Sequence, residues 1–269
     1  MNADLLHLNT AGAGLSSAPV RAAILEHLEL EARIGSYEAQ ELRQGALAGI
    51  YRDVAHLINA QASEIALAPG GSAGWNAAFY GLHLIPGDRI LTTTVEYGGA
   101  VAAMRHRSRR DGIEVDVAPA LPSGCVDLDR LETMIGERTR AICLTWIPTH
   151  TGLVEPAEAI GRIARRHGLA FILDASQALG QRPVDVVGLD CDILVASGRK
   201  FLGGPRGSGV LFVREGTDVA PSQVDHWIQN RCGKRQRRLT RPGPDVSNCG
   251  SDRRPFNSAL GEPSSSRFR

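Results

Sequence analysis

Short apolar runs separated by turn residues recur along the first 215 residues of the chain. Ile65–Ala68, Arg89–Thr93, Glu114–Val117, Arg140–Trp146, Ala170–Leu173, Asp192–Val195 and Gly209–Val213 read as strands. Several are nearly continuous in apolar residues, as strands covered on both faces are. Helical patterns fill most of the gaps. Ala73–Leu84 follows a Gly/Ser cluster and is closed by Pro86-Gly87, and Gly99–Arg110 ends in a basic turn before Asp111-Gly112. Asp127–Ile135 opens on an acid and stops at Gly136, and Pro156–His167 opens on proline and carries two arginines in its last turn. Upstream, Val20–Leu47 mixes charged and apolar residues at helical spacing and predicts one or two amphipathic helices. Strands alternating with helices of about 10–15 residues predict an α/β fold, a mostly parallel sheet sandwiched by helices.

Composition adds a boundary that the periodicity leaves open. The chain has 269 residues, 43% hydrophobic and 22% charged, which excludes disorder throughout and allows a sizeable core. No run approaches the ~18 apolar residues of a membrane span. The first residues lack the basic stretch and apolar run of a secretory signal. The net charge of +1 conceals two unlike regions. Residues 229–269 carry ten Lys/Arg and three Asp/Glu, so the preceding 228 residues hold the acidic excess. That tail has five Leu, Val or Phe and shows neither strand nor helix period, so it reads as disordered. An arginine-rich arm for a polyanion is the other reading, but two phenylalanines supply little base stacking, so a nucleic-acid partner is not expected. The organisation expected is therefore an N-terminal segment 1–20, a domain over 21–228 and a basic tail over 229–269. Five scattered cysteines with no CxxC pair argue against a zinc site or disulfide framework and fit a reducing cytoplasm.

The chemistry concentrates in FILDASQALGQRPVDVVGLDCDILVASGRKFLGGPRGSG, residues 171–209. Asp174 follows three apolar residues and so ends a buried strand, at the sheet edge where open parallel sheets bind ligands. Lys200 follows the next strand across Ala196-Ser197-Gly198-Arg199 and brings an amine to the same edge. One account of such charges is that the two simply pair with each other or with neighbours. Glycines 203, 204, 207 and 209 allow backbone to approach a ligand closely. Near the start, the small residues Asn9 to Gly14 can lie against a ligand or a neighbouring chain.

The ordered series Asp174-x-x-Gln177-x-x-Gly180, Asp185-Val186, Asp192, Ser197-Gly198-x-Lys200 and Gly204-Pro205-x-Gly207-x-Gly209 resembles the class V aminotransferase group of fold-type I pyridoxal 5′-phosphate enzymes. That group includes cysteine desulfurases, selenocysteine lyases, isopenicillin epimerase-like proteins and the C–S lyase of ergothioneine synthesis. The resemblance runs from about Leu6 to Arg214. It implies the large domain of that fold, with Lys200 forming a Schiff base with the cofactor aldehyde and Asp174 pairing with the pyridinium nitrogen. It also implies that Gln177 bonds the ring hydroxyl and Ser197 the phosphate. Residues 67–76, LAPGGSAGWN, would complete the phosphate cup at a helix start, with Gly71 and Ser72 at the family's Gly/Thr turn. Tyr97 falls where the family stacks an aromatic residue, often histidine, on the ring. Tyrosine stacks but does not titrate near pH 7, and a plain loop aromatic is the alternative. Thr149 falls where many relatives have asparagine near the ring hydroxyl. His150 beside it has no further support as an acid or base, and Arg199 stands where the desulfurases have histidine before the lysine.

By resemblance the chain is a pyridoxal-phosphate enzyme acting on an amino acid, C–S lyase or cysteine desulfurase-like, with an aminotransferase or epimerase as the alternative. The family's site lies at a homodimer interface. Its second, smaller domain supplies an arginine for the substrate carboxylate and, in desulfurases, a cysteine nucleophile. Neither is matched here, and composition changes abruptly after Asn230. The expectation is a chain truncated or read out of frame there, and possession of a catalytically inactive cofactor-binding domain is a further alternative. Translation of the downstream DNA in the other two frames tests this; two frames without family-like sequence would sink it.

Overall fold

The computed structural model describes residues 5–220, so the disorder expected of the tail, Cys232 and Cys249 lie outside the described residues. The elements are α1 (Ala18–Ile34), α2 (Ser36–Leu42), α3 (Gln44–Ile58), β1 (Ile65–Ala68), α4 (Gly71–Gly81), β2 (Arg89–Thr93), α5 (Gly98–Asp111), β3 (Glu114–Ala118), α6 (Leu128–Thr133), β4 (Thr139–Thr145), α7 (Ala157–Arg166), β5 (Ala170–Asp174), β6 (Ile193–Ser197) and β7 (Gly209–Val213).

All seven strands form one sheet in the order β1-β7-β6-β5-β4-β2-β3. The five strands from β3 to β6 are mutually parallel, whereas β7 is antiparallel to both β6 and β1. The sheet is thus mostly parallel, as the alternating pattern predicts. Because β1 and β6 both oppose β7, they point the same way. Ala68 and Ser197 each pair with Gly209, so the end of β1 joins the ends of β2, β4, β5 and β6 along one edge.

Period-2 alternation divides the core. Ile142, Leu144, Phe171, Leu173 and Leu194 pack on one face with Leu131, Ile160 and Ile163 from α6 and α7. Cys143, Ile172, Ile193 and Val195 pack on the other with Trp75 and Phe79 of α4 and Met104 of α5. With both faces buried, these strands need apolar residues at every position, which is why they read as continuous runs. Each such Leu, Ile or Phe stabilises the fold by about 1.5–3 kcal/mol on full burial.

The N-terminal helices depart from expectation. Three form rather than one or two, and the last continues to Ile58. Gly35, at φ 98°, interrupts the first pair, and Asn59 caps α3 in the left-handed region. Leu25, Leu28, Tyr37 and Leu42 stay exposed, so the apolar pattern there does not track burial.

Candidate functional site

The strand-end edge gathers the polar residues of the interior. Asp174 ends β5, Ser197 ends β6 and Thr145 ends β4, and all three are buried. Strand β6 then turns through Gly198 and Arg199 to Lys200, whose carbonyl accepts a bond from Gly203 N at 3.0 Å. Gly204 N reaches back to Gly198 O at 2.8 Å. This tight turn points the lysine back over the sheet edge. Lys200 is buried, and its Nζ stands 6.0 Å from the centroid of the Tyr97 ring.

Among the described residues no ion pair joins Lys200 to Asp174, although their charges attract. Asp174 instead accepts from Ser176 N at 2.8 Å through one carboxylate oxygen. Burial pushes its carboxyl above the usual carboxylate range, against the Ser176 hydrogen bonds and the Lys200 charge. Burial likewise lowers the Lys200 amine below its ordinary value; the Asp174 charge opposes this and Arg199 reinforces it. A lysine shifted this way has more neutral amine at physiological pH, the form that attacks a carbonyl or accepts a proton.

At the ends of β5 and β6 lies a cradle built from three elements. Gly70 and Gly71 start α4, and no side chain caps that helix. Ser197 Oγ and Ser176 Oγ stand 3.5 Å apart, and Ser197 N donates to Ser176 Oγ at 3.2 Å. A Cβ on Gly71 would lie 2.6 Å from Ser197 Oγ and 2.9 Å from Ser176 Oγ. Glycine thus keeps open a space facing two hydroxyls and a helix N-terminus, which is how backbone and dipole favour an anion. Ser72, the next residue, is exposed on the first turn.

On the opposite side, Gln177 Nε2 donates to Thr149 Oγ1 at 2.7 Å and to Ala11 O at 3.0 Å. The N-terminal segment therefore does lie against the site. Gly14 N bonds Arg199 O at 2.7 Å, and a Cβ on Gly14 would stand 2.4 Å from Lys200 O. A cleft of about 380 Å³ opens there, with Ile147, Pro148, Arg182 and Phe201 in its walls.

The structure thus brings Gly71, Tyr97, Thr149, Asp174, Gln177, Ser197 and Lys200 to one edge. Thr149 and His150 are exposed, and Tyr97 is 42% exposed. Two residues assigned no role by the sequence reading also belong there. Ser176 lines the cradle, and a serine two positions beyond a strand-ending aspartate is the available signal, since its N–H closes an Asx turn. Glu96 accepts from Thr92 Oγ1 at 2.9 Å, from Tyr97 N at 2.9 Å and from Thr145 Oγ1. Its signal is weaker: a threonine four residues before it on the strand. Among the described cysteines, Cys143 and Cys191 are buried and burial raises both thiols, while Cys125 is partly exposed. Among the described residues no cluster of three potential ligands could hold a metal ion, and no helix is long and apolar enough to cross a membrane.

Comparison with known proteins follows the same outline. The family model described as aminotransferase class-V matches residues 8–225. The cysteine desulfurase IscS of Rickettsia bellii (strain OSU 85-389) is 32% identical over 166 residues, which cover 61% of this chain and 40% of that protein. A cysteine desulfurase of Cereibacter sphaeroides is 35% identical over 179 residues, 65% of this chain and 46% of that one. The chain thus spans less than half the length of these relatives. Among solved structures, the complex between the cystine C–S lyase C-DES and its reaction product cysteine persulfide superposes with a TM-score of 0.78 at 25% identity, covering 82% of this chain and 61% of that one. The apo cysteine desulfurase from Thermococcus onnurineus NA1 gives 0.74 at 27% identity, covering 81% and 56%.

Proposed function

Because the chain belongs to the aminotransferase class-V family, we propose that its strand-end edge holds pyridoxal 5′-phosphate and acts on an amino acid, cleaving a C–S bond in the manner of a lyase or cysteine desulfurase. The observation that carries this reading is one convergence: a buried acid, a buried amine and an anion cradle, from Asp174, Lys200 and Gly71 with Ser176 and Ser197. The lining suits a phosphate because it offers two hydroxyls and an uncapped helix start, with no side chain at Gly71 to displace the hydroxyls.

Each residue then has a task that its surroundings suit. Gly71, Ser72, Ser176 and Ser197 receive the phosphate. Asp174, whose own charge is disfavoured by burial, gains a cationic partner when it faces the ring nitrogen. Gln177 and Thr149, already joined to each other, orient toward the ring hydroxyl. Tyr97 covers the ring, and Lys200 anchors the group. When bound, the cofactor supplies an electron sink for the charge left on the substrate Cα. Lys200 Nζ, once the substrate amine has taken its place, would accept the proton from that carbon as a neutral amine, the form that its lowered pKa favours. The desulfurase and C–S lyase activities of these relatives support sulfur amino acids as the substrate class. Transamination or epimerisation would begin with the same residues.

A second reading is cofactor binding without turnover. It is favoured by two of the three cysteines among the described residues: Cys143 and Cys191 are buried with raised thiols, unsuited to accept sulfur, while Cys125 is partly exposed. The test is a visible-absorbance titration with pyridoxal phosphate, followed by sulfide and pyruvate assays on cysteine and cystine. Colour that forms in the wild type and is lost in Lys200→Ala supports binding; product release then supports turnover. A chain that stays colourless refutes the cofactor assignment, and a coloured but inert one favours the second reading. A homodimer in the cytoplasm belongs to the same proposal. Exposed Leu25, Leu28, Tyr37 and Leu42 on α1 and α2 are apolar surface that a second copy would cover. Light scattering that finds only monomer removes the dimer.

A further inference from the structure

We infer that Glu96 is a positioning residue, whose carboxylate holds the Tyr97 ring over the Lys200 amine by tying the first peptide of α5 to the ends of β2 and β4. The inference rests on reading this edge as a pyridoxal-phosphate site.

Tyr97 is the residue before α5, at φ −65° and ψ 134°, and no side chain caps that helix from it. Its own backbone N–H is instead taken by Glu96 Oε1 at 2.9 Å and by Thr145 Oγ1 at 3.0 Å. Thr145 Oγ1 donates in turn to Glu96 Oε1, and Thr92 Oγ1 donates to Oε2 at 2.9 Å. One carboxylate therefore joins three elements, and Thr145 and Thr92 are both buried. Thr145 is the direct register partner of Asp174, so the clamp sits one strand from the acid proposed to face the ring nitrogen. Tyr97 has no hydrogen-bonded hold of its own: the residue is 42% exposed, its ring rests against Gly99 and it meets the lysine at 6.0 Å. What sets the ring's position is therefore its backbone, and Glu96 sets the backbone. Burial raises the proton affinity of this carboxyl, and the nearby Asp174 charge adds to that, while the three hydrogen bonds oppose it. A side chain held there at such cost is well fixed by its donors.

A loop brace with no bearing on the site would show the same bonds, so the test must read Tyr97. Pyridoxal-phosphate affinity and the visible circular dichroism of the bound group are measured for the full chain as wild type, Glu96→Ala, Glu96→Gln, Tyr97→Ala and the double variant Glu96→Ala/Tyr97→Ala. Glu96→Ala is expected to weaken binding about tenfold, the loss of a buried hydrogen-bonded hold, and to flatten the dichroic band. Glutamine keeps an acceptor for Tyr97 N and Thr145 and should bind within about threefold of wild type. In the Tyr97→Ala background, removing Glu96 should cost less than about twofold, because the pair acts as one unit. Equal binding by Glu96→Ala, additive losses in the double variant, or a glutamine variant as weak as alanine would each overturn the inference. A wild type that binds no pyridoxal phosphate overturns the cofactor reading and this inference with it, whereas a binding wild type with an indifferent Glu96→Ala overturns the inference alone. If Glu96→Ala does not fold, Thr145→Val replaces it and is judged by the same outcomes.

Discussion

Replacing Gly71 with alanine sets two effects of opposite sign against each other, and the cradle geometry decides which each assay sees. Gly71 is the first residue of α4, and alanine in a helix is favoured over glycine by up to about 1 kcal/mol. In the apo protein that gain is offset by crowding of two buried, mutually bonded hydroxyls, so the variant should melt at or below the wild-type temperature. The new Cβ would stand 2.6 Å from Ser197 Oγ and 2.9 Å from Ser176 Oγ, where ordinary contact begins at 3.4 Å. The hydroxyls must withdraw by about 0.8 and 0.5 Å, out of the space that an anion's oxygens would use. Losing two charge-assisted hydrogen bonds costs about 2–4 kcal/mol, or roughly 30- to 1,000-fold in affinity. Calorimetry of the apo protein and absorbance titration with pyridoxal 5′-phosphate give the two readings. Titration with pyridoxal, which lacks the phosphate, is the control and should differ little between wild type and variant. A Gly71→Ala chain that folds normally and binds the phosphorylated form within threefold of wild type refutes the assignment of the cradle. So does an equal loss for pyridoxal.

Three further outcomes follow from the buried charges and close contacts. Asp174 has a folded-state pKa raised by burial, so its contribution to apo stability is present at low pH and is lost as pH rises through that value; urea unfolding at pH 5 and pH 8 should show wild type losing stability relative to Asp174→Asn, and parallel behaviour would contradict this. Asp111 is the opposite case, held below the usual carboxylate range by its hydrogen bonds to Arg110 and to Arg107, the latter buried and also bonded to Phe79 O and Leu82 O. Asp111→Ala should cost about 1–3 kcal/mol at neutral pH by stranding the buried guanidinium, with a difference that shrinks as pH falls, read from denaturant midpoints. Gly161→Ala should destabilise by about 1–3 kcal/mol in thermal melts, because its Cβ would lie 1.9 Å from the Leu189 carbonyl oxygen and backbone must shift to admit it.

How legible these features are in the sequence depends on what surrounds them. Ile142 to Leu144 and Phe171 to Leu173 face apolar layers on both sides, so their strands stand out as unbroken apolar runs. Asp174 and Lys200 stand out against the same background, as charges where such runs stop. The N-terminal helices are harder to delimit because Leu25, Leu28, Tyr37 and Leu42 are apolar yet exposed, so hydrophobicity there carries no record of a buried face. Glu96 is legible as a charge but not as a clamp. Its three donors come from β2, the start of α5 and β4, and the last of these is remote in sequence. Ser176 is hidden for a similar reason: its hydroxyl matters only because Ser197 and Gly71 meet it in space.

Strand β1 joins the sheet through β7, with Ile65 opposite Phe212. A nascent chain can lay down β2 to β5 side by side while it is still being made. It cannot seat β1 until Val213 has left the ribosome, and Gly71 hangs from β1. Strand β1 is thus paired only after a loop closure that spans most of the described chain, the kind of step that slows folding, although α4 also packs on α5 and β6. Ribosome-stalled chains ending before β7 should therefore leave β1 without its sheet partner.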